Sequence, residues 1–272
     1  MGENIVGVIT KEKSNFNSDF RDITPICRLN NIEYLYVNKI NHKENIEWIR
    51  GHNPDIIFCF GWPQILAPEL LSIPHLGVIG YHPAKLPNNR GRHPLVWALC
   101  LGLKETGSTF FFMDKGADTG DILSQELIEI DEDDNAQSLY NKMIHVSLKQ
   151  IDFFLPELKS GNYKRIHQDK EKGNTWRKRV YEDGIIDWRM SAVTIHNLVR
   201  GLTRPYVGAN FQYDGENIIV WKTKICMNKD YNIEPGKVIG NENGFPKVKC
   251  GIDSIILKEI EPVITIKEGA YL

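Results

Sequence analysis

The sequence lacks the features of a membrane protein and of a nucleic-acid-binding protein. Its 272 residues contain no apolar run near the ~20 residues that a helix needs to cross a bilayer. Lys and Arg (33) do not outnumber Asp and Glu (35), so there is no basic surplus to neutralise phosphates. Residues 1–4 are polar, and the apolar run that follows is too short for the core of a signal peptide. We therefore expect no membrane partner, and the charge balance disfavours a nucleic-acid partner.

Cysteine is also scarce, and its positions follow no ligand spacing. The five cysteines are scattered, odd in number and without a C-x-x-C pair, which argues against a disulfide framework and against a zinc site. The sequence also lacks the G-x-S-x-G, G-x-G-x-x-G and Walker A patterns that mark nucleophilic serines and phosphate-binding loops. We expect no bound metal and a reducing, cytoplasmic location.

What the sequence has is an alternation of short apolar runs with amphipathic segments. Apolar, β-branched runs predict strands over residues 4–10, 32–37, 54–61, 76–82 and 107–114. Amphipathic segments predict helices over residues 43–53, 94–103 and 135–158. Strands that alternate with helices predict an α/β fold with a Rossmann-like, mostly parallel sheet and helices on both faces.

The composition changes after residue 158. Residues 159–184 are charged and weakly periodic, which predicts a linker that crosses the surface. Residues 191–202 predict a helix with Ser191 as its N-cap, and short β-like runs separated by turn residues follow Pro205. We predict three parts: a large α/β domain (residues 1–160), a linker (161–186) and a small β-rich, OB-like C-terminal domain (187–272).

The stretch "GYHPAKLPNNRGRHP", residues 80–94, is rigid and polar and follows a predicted strand directly. In a parallel α/β sheet, ligands bind beyond the carboxyl ends of the strands, which is where His82 lies. The proline after His82 biases the histidine backbone towards an extended conformation. Catalysis is one interpretation of His82, and a loop histidine without a role is the other.

A second polar stretch, "MDKGADTGDILSQ" (residues 113–125), follows another predicted strand. It is either a solvated turn, since Asp and Gly favour turns, or a loop whose glycines let the backbone approach a ligand. A carboxylate here and His82 can meet at one rim of the sheet, and an aspartate that orients a histidine is a common acid–base pair. A His–Asp metal site is the rival interpretation, and it is weak because no second histidine has ligand spacing.

Together these stretches resemble the formyltransferases that use 10-formyltetrahydrofolate. Within residues 59–123, "HPAKLPNNRG" resembles the family pattern H-x-S-x-L-P-x-x-R-G, and "ETGSTFFFMDKGADTGDIL" resembles E-T-G-x-T…D-x-G-x-D-T-G-D-I-L. Weaker similarity continues through "IDW", "IHNLVRG" and "RPYVGA", between residues 186 and 209. These resemble the junction to the small C-terminal domain of methionyl-tRNA formyltransferases and sugar N-formyltransferases.

The resemblance implies transfer of a formyl group from 10-formyltetrahydrofolate to an amine, through a tetrahedral oxyanion. His82 would stabilise that oxyanion or shuttle the proton, and Asp118 would orient His82. It also implies contacts to the folate by Gly116, Ala117, Thr119, Gly120 and Arg90, and contacts to the substrate by Pro83, Lys85 and His93. Arg92 is a further candidate for binding an anionic group.

The sequence departs from the family pattern in two places. Gly80 stands where the family usually has an asparagine that also donates to the oxyanion. Either Asn88 or Asn89, a water or a backbone N–H replaces that donor, or the asparagine is dispensable in this branch of the family, or the protein is catalytically weak. The family's first strand and helix have no counterpart ahead of residue 4, so we expect low stability unless something covers the exposed strand edge.

Three acceptors are known in this family: a nucleotide-linked amino sugar, initiator methionyl-tRNA and glycinamide ribonucleotide. The near-neutral charge and short C-terminal part disfavour the tRNA, and the glycinamide ribonucleotide enzymes generally lack a C-terminal domain. We therefore predict an amino deoxysugar on a nucleotide, destined for a surface polysaccharide. The alternatives are a methionyl-tRNA formyltransferase and a non-catalytic binding protein with the formyltransferase fold. A homodimer is a further open prediction.

Overall fold

The first part of the chain contains one four-stranded sheet and smaller two-stranded sheets. In the computed structural model, which describes residues 3–13, 20–169 and 171–272, β1 (Val8–Thr10) pairs in parallel with β2 (Tyr34–Tyr36). The four-stranded sheet has the order β3-β4-β6-β7, formed by β3 (Ile57–Cys59), β4 (Val78–His82), β6 (Glu105–Phe112) and β7 (Ile122–Glu129). β4 pairs in parallel with β3 and antiparallel with β6. The predicted α/β class is confirmed, with the parallel pairing in β1–β2 and β3–β4.

The chain forms two compact units, each built from three segments. The first contains Met1–Gly91, Gly107–Ile128 and Met143–Trp176, and the second contains Arg92–Thr106, Glu129–Lys142 and Arg177–Leu272. The segments interleave along the sequence, whereas the predicted domains are continuous, so the bounds at residues 160 and 187 stay a prediction. Residues 1 and 2, in the polar N-terminal stretch, and Lys170, in the predicted linker, lie outside the described residues.

Amphipathic helices cover the strands of the first unit. α2 (Lys43–Gly51) buries Ile46 and Ile49, as its pattern predicts. α5 (Ala136–Ser160) also lies where it is predicted, and its Phe154 ring contacts the Phe110 ring of β6 edge-on, with centroids 4.9 Å apart. Two short helices, α1 (Thr24–Leu29) and α3 (Pro68–Leu71), are too short to show a helical repeat in the sequence. No helix in the described ranges is long and apolar enough to cross a membrane.

Residues 161–176, which belong to the predicted linker, take part in the first unit. β8 (Thr175–Trp176) pairs in parallel with β5 (Arg90–Gly91), and Ile166 forms a β-bridge with Ile122. Gln168, between these contacts, is 2% exposed. The charged composition of this segment gives no sign of these contacts, because many of them are made by one buried glutamine.

An antiparallel sheet forms the centre of the second unit, as the pattern after Pro205 predicts. Its order is β11-β12-β13-β10-β9, formed by β9 (Ala209–Tyr213), β10 (Glu216–Cys226), β11 (Val238–Glu242), β12 (Phe245–Lys249) and β13 (Ser254–Glu261). α4 (Pro94–Cys100) and α6 (Ala192–Leu202) belong to the same unit. Ser191 Oγ accepts a hydrogen bond from the Thr194 N–H at 3.1 Å, which confirms the predicted N-cap of α6.

Candidate active site

His82 is the last residue of β4 and lies at the carboxyl end of that strand, as predicted. Its side chain is buried, and only 4% of the residue is exposed. The ring nitrogen Nε2 lies 2.7 Å from the backbone oxygen of Asn89. Because a carbonyl oxygen only accepts, this contact assigns a hydrogen to Nε2 and leaves Nδ1 facing the other side.

Asp118 lies on the Nδ1 side of His82. Its Oδ2 is 3.6 Å from Nδ1, which is long for a hydrogen bond and within ion-pair distance. The same oxygen accepts a hydrogen bond from the Gly91 N–H at 3.0 Å. The Asp118 backbone has a φ of +57°, in the left-handed region that Asp enters more readily than most residues. The structure therefore brings His82 and Asp118 together at one rim of the sheet.

The loop between β6 and β7 carries the other predicted folate contacts and is closed by its own bonds. Asp114 Oδ1 accepts hydrogen bonds from the Gly116 N–H at 2.9 Å and from Thr119 Oγ1 at 2.6 Å. A side chain on Gly120 would collide with a backbone oxygen of β6, so this glycine is needed for close approach within the chain. Ala117 is exposed. Folate contact by these four loop residues stays a prediction.

Arg90 is turned into the protein. Its guanidinium is buried and donates to Gln168 Oε1 at 3.0 Å and to the backbone oxygens of Asp169 and Lys172 at 3.4 and 3.5 Å. These bonds hold the segment after α5 against β5. They give Arg90 an internal role, and its predicted contact with the folate stays a prediction.

The loop that follows His82 is held against β6. Thr109 Oγ1 donates to the Ala84 backbone oxygen at 2.6 Å, and a side chain on Gly107 would lie 2.9 Å from the Lys85 backbone. Pro83 and Lys85, the predicted substrate contacts, are half-buried in this loop. The loop backbone is therefore fixed next to His82, whatever these two side chains bind.

The space beside Gly80 is filled. Gly80 and His82 are two residues apart on β4, so they share one face of the sheet. A Cβ atom on Gly80 would lie 2.8 Å from Phe111 Cζ and 3.0 Å from Met113 Cγ. These two side chains occupy the room that the family's asparagine would need. Asn89, considered as its substitute, contacts His82 through a backbone oxygen, which is an acceptor and not a donor.

His93 lies in the second unit, within a cluster of positive charges. It precedes α4 with a φ of +54° and is half-buried. Burial, followed by the charges of Arg179, Arg92 and Lys178, lowers the pKa of His93, which Asp183 opposes. Arg179 is itself buried and stacks on the Trp97 ring, 4.6 Å from its centroid. The cluster is suited to an anionic group.

A buried donor at the same sheet edge fits a ligand with acceptor atoms. The indole N–H of Trp62 is buried and has no hydrogen-bond partner among the residues that the structure describes. Trp62 follows β3, whose last pair with β4 is Cys59 with Gly80, two residues before His82. An unsatisfied buried N–H is unfavourable until something accepts its hydrogen. The carbonyl and ring nitrogens of a pterin are acceptors of this kind.

The described residues offer no alternative centre of metal or thiol chemistry. No group of three His, Cys, Asp or Glu side chains in the described ranges is placed to hold a metal ion. Burial raises the pKa of Cys59 and of Cys100 to about 11, so these thiols stay protonated and are weak nucleophiles.

Gln168 is the residue near the site that sequence reasoning missed. Its amide Nε2 donates to the backbone oxygens of Asp118 at 3.1 Å and of Gly120 at 2.6 Å. In the sequence it lies in "RIHQDKEKG", where nothing distinguishes it from a solvated polar residue. No signal in the sequence marks it.

The comparison with protein families matches both parts of the chain. Residues 2–151 match the family described as "Formyl transferase", and residues 179–268 match "Formyl transferase, C-terminal domain".

Two curated relatives show the level of sequence similarity. The methionyl-tRNA formyltransferase of Caldanaerobacter subterraneus subsp. tengcongensis is 35% identical over 229 residues, which cover 84% of this chain and 73% of that protein. The bifunctional polymyxin resistance protein ArnA of Wigglesworthia glossinidia brevipalpis is 39% identical over 196 residues, which cover 72% of this chain and 30% of ArnA. The chain therefore spans less than a third of ArnA.

Solved structures share the fold. HypX from Aquifex aeolicus, in complex with tetrahydrofolic acid, has a TM-score of 0.67 at 17% identity, covering 93% of this chain and 43% of HypX. WlaRD, a sugar 3N-formyl transferase solved with dTDP and 5-N-formyl-THF, has a TM-score of 0.69 at 16% identity, covering 94% of this chain and 88% of WlaRD. At these identities the likeness concerns the fold alone.

Proposed function

The chain belongs to the formyl transferase family, and from that premise we propose that it transfers the formyl group of 10-formyltetrahydrofolate to the amine of a nucleotide-linked amino deoxysugar. The observation that carries the proposal is the His82–Asp118 pair at the carboxyl end of β4. The sugar is the finer part of the proposal. The net charge of −2 and a fold that covers 88% of a sugar 3N-formyl transferase support it.

His82 is proposed to donate a hydrogen bond to the oxyanion, or to carry the proton that the attacking amine loses to the folate nitrogen that leaves. When bound, the folate supplies the formyl carbon to the amine nitrogen and leaves as tetrahydrofolate. The Nε2–H of His82 is held by the Asn89 backbone oxygen, an acceptor. Turned from Asn89 to the developing oxyanion, the same Nε2–H would donate a hydrogen bond to it, and a hydrogen on Nδ1 would let the Asp118 carboxylate orient the ring.

The folate is proposed to bind at the carboxyl ends of β3 and β4. Trp62 would donate its buried indole N–H to an acceptor of the pterin, and the backbone of the β6–β7 loop would line the site through Gly116, Ala117, Thr119 and Gly120. Arg90 would act on the folate indirectly, since its guanidinium is bonded to Gln168.

The nucleotide sugar is proposed to place its phosphates against positive charge. His93, Arg92 and Arg179 supply that charge within the second unit. Contacts to the acceptor by Pro83 and Lys85, in the loop after His82, stay a prediction.

The test is a formylation assay with 10-formyltetrahydrofolate and a panel of nucleotide-linked 3-amino and 4-amino sugars, with products identified by mass spectrometry. We expect turnover with one of these sugars, and a fall in kcat of ~10²-fold or more in His82→Ala and in Asp118→Ala. His145→Ala removes an exposed histidine of α5 and serves as the matched control with unchanged kcat. Failure of every amino sugar to react would refute the proposed acceptor.

Methionyl-tRNA is the second candidate acceptor, because a methionyl-tRNA formyltransferase is 35% identical to this chain. Formylation of methionyl-tRNA, with binding that weakens steeply as salt rises, would favour it. A chain that binds folate but formylates neither acceptor would support the third hypothesis, a non-catalytic binding protein, for which the filled space beside Gly80 is the motivating observation.

We also propose a cytoplasmic location, which the five free cysteines support because a reducing compartment keeps thiols unpaired. The predicted homodimer is checked by light scattering on the same preparation.

A further inference from the structure

The buried glutamine of the segment after α5 uses its whole amide. Gln168 is 2% exposed. Its Nε2 donates twice, to the backbone oxygens of Asp118 (3.1 Å) and Gly120 (2.6 Å), and its Oε1 accepts from Arg90 Nη2 (3.0 Å). A buried amide with two donors and an acceptor in use is fixed in orientation, because any rotation leaves a buried group unsatisfied.

These hydrogen bonds belong to a network, the circuit through Gln168, that holds Asp118 at both its carboxylate and its backbone. Gln168 is bonded to Arg90, the next residue Gly91 donates its N–H to Asp118 Oδ2, and Gln168 holds the Asp118 backbone oxygen. Asp118 is thus held at its side chain through β5 and at its backbone through Gln168. Both contacts bear on the position of one atom, Oδ2, which lies 3.6 Å from His82 Nδ1.

The backbone of Asp118 needs such support. Its φ of +57° lies in a region that L-residues other than Gly populate sparsely. Such a conformation persists only where the surrounding structure holds it, and the two Nε2 bonds fall on either side of Thr119, within this turn.

We propose that Gln168 is a positioning residue for formyl transfer. It fixes the backbone from Asp118 to Gly120 and thereby keeps the Asp118 carboxylate against His82. The proposal rests on the proposed roles of His82 and Asp118, and it assigns Gln168 no contact with either substrate.

The test begins with Gln168→Glu. Glutamate keeps the length and the oxygen that accepts from Arg90, and it replaces the donating Nε2 with an oxygen that faces two backbone oxygens. We expect kcat to fall by ~10²-fold, because a displacement near 1 Å at a catalytic group has an effect of this size. The KM for the amine acceptor should stay near that of the wild type, whereas the KM for the folate should rise, because Gln168 holds the Gly120 backbone that is proposed to line the folate site.

A double-mutant cycle separates positioning from general destabilisation. In an Asp118→Asn background, Gln168→Glu should lower kcat little further, because its effect passes through the missing carboxylate. Effects of the two substitutions that multiply would overturn the proposal, as would a wild-type kcat in Gln168→Glu. If Gln168→Glu does not fold, Gln168→Met, which adds no charge, takes its place in the same cycle.

Gln150 provides the matched control. It is also a buried glutamine of the first unit, 4% exposed, and its amide bonds Ser108 and Ser124. Gln150→Glu should lower the melting temperature and leave kcat within about threefold. An equal loss of kcat in both glutamine variants would refute a specific role for Gln168. If Asp118→Asn has wild-type kcat, the proposed role of Asp118 fails; if only Gln168→Glu has wild-type kcat, the positioning role alone fails.

Discussion

Adding one methyl group at Gly80 tests how firmly the site face of β4 is packed. In Gly80→Ala the new Cβ would lie 2.8 Å from Phe111 Cζ and 3.0 Å from Met113 Cγ, where ordinary van der Waals contact begins at 3.4 Å. Phe111 is 2% exposed and packs in a buried cluster with Leu86 and Ile122, so its ring can move only by displacing buried neighbours. Overpacking of this kind costs about 1–3 kcal/mol, and the lower chain entropy of alanine returns about 0.4–1 kcal/mol. We expect a net loss of about 1–2 kcal/mol.

The assay is thermal unfolding of Gly80→Ala beside two companion variants. A loss of this size lowers the melting temperature by about 2–4 °C per kcal/mol for a chain of this length. Gly51→Ala is the matched control, because a Cβ on Gly51, at the end of α2, meets nothing within 4 Å. Alanine there should keep or raise the melting temperature. Phe111→Leu combined with Gly80→Ala should recover part of the loss, since leucine shortens the side chain that collides.

A melting temperature of Gly80→Ala at or above the wild type would refute this reasoning. It would mean that Phe111 and Met113 move aside at little cost, and that the room for an asparagine side chain beside His82 is still available. Gly80→Asn would then be expected to fold and to raise kcat without a second substitution.

Two further predictions concern the second unit. Arg200→Met removes a buried guanidinium that donates to the backbone oxygens of Asp131 and Asp134 at 3.0 Å each, so we expect the free energy of unfolding to fall by about 1–3 kcal/mol in chemical denaturation. Arg189→Met, at an exposed arginine, serves as the control and should be near neutral. Equal denaturation midpoints for the two variants would contradict this prediction. The pKa of His93 is lowered by burial and then by the charges of Arg179, Arg92 and Lys178, so the unfolded chain binds the proton more readily than the folded one. The neutral ring therefore adds to the stability of the fold above pH 6.5, and this contribution is lost as the pH falls below that value. We expect His93→Gln to make the melting temperature fall less steeply below pH 6.5. An unchanged pH slope would refute the role of His93.

The local elements of the fold were predictable because their patterns are local. The apolar run before His82 predicts β4, and the apolar repeat of residues 135–158 predicts α5. The His82–Asp118 pair was predicted from two polar stretches at the ends of strands, but the reason is not a shared strand edge. β4 and β6 run antiparallel, so their carboxyl ends lie at opposite ends of the pair, and the loop after β6 brings Asp118 to His82.

The contacts that complete the site were not predictable, because they join residues far apart in the sequence. Arg90 looks like a surface cation in a polar loop, and its partner lies 78 residues further along. Gln168 looks like part of a solvated linker, and no periodicity marks a single buried amide. To predict that Phe111 packs beside Gly80, one must know the register in which β4 pairs with β6, and neither strand's own sequence determines that register.

The circuit through Gln168 has a consequence for the order in which the protein is made. Gln168 follows Asp118 by 50 residues and Arg90 by 78. A nascent chain that has left the ribosome only to the end of α5 contains His82 and Asp118 but not yet the Gln168 amide. The hydrogen bonds that hold Asp118 therefore form late in translation. A fragment that ends at residue 160 would lack the same hydrogen bonds, and a fragment extended through residue 176 should regain them.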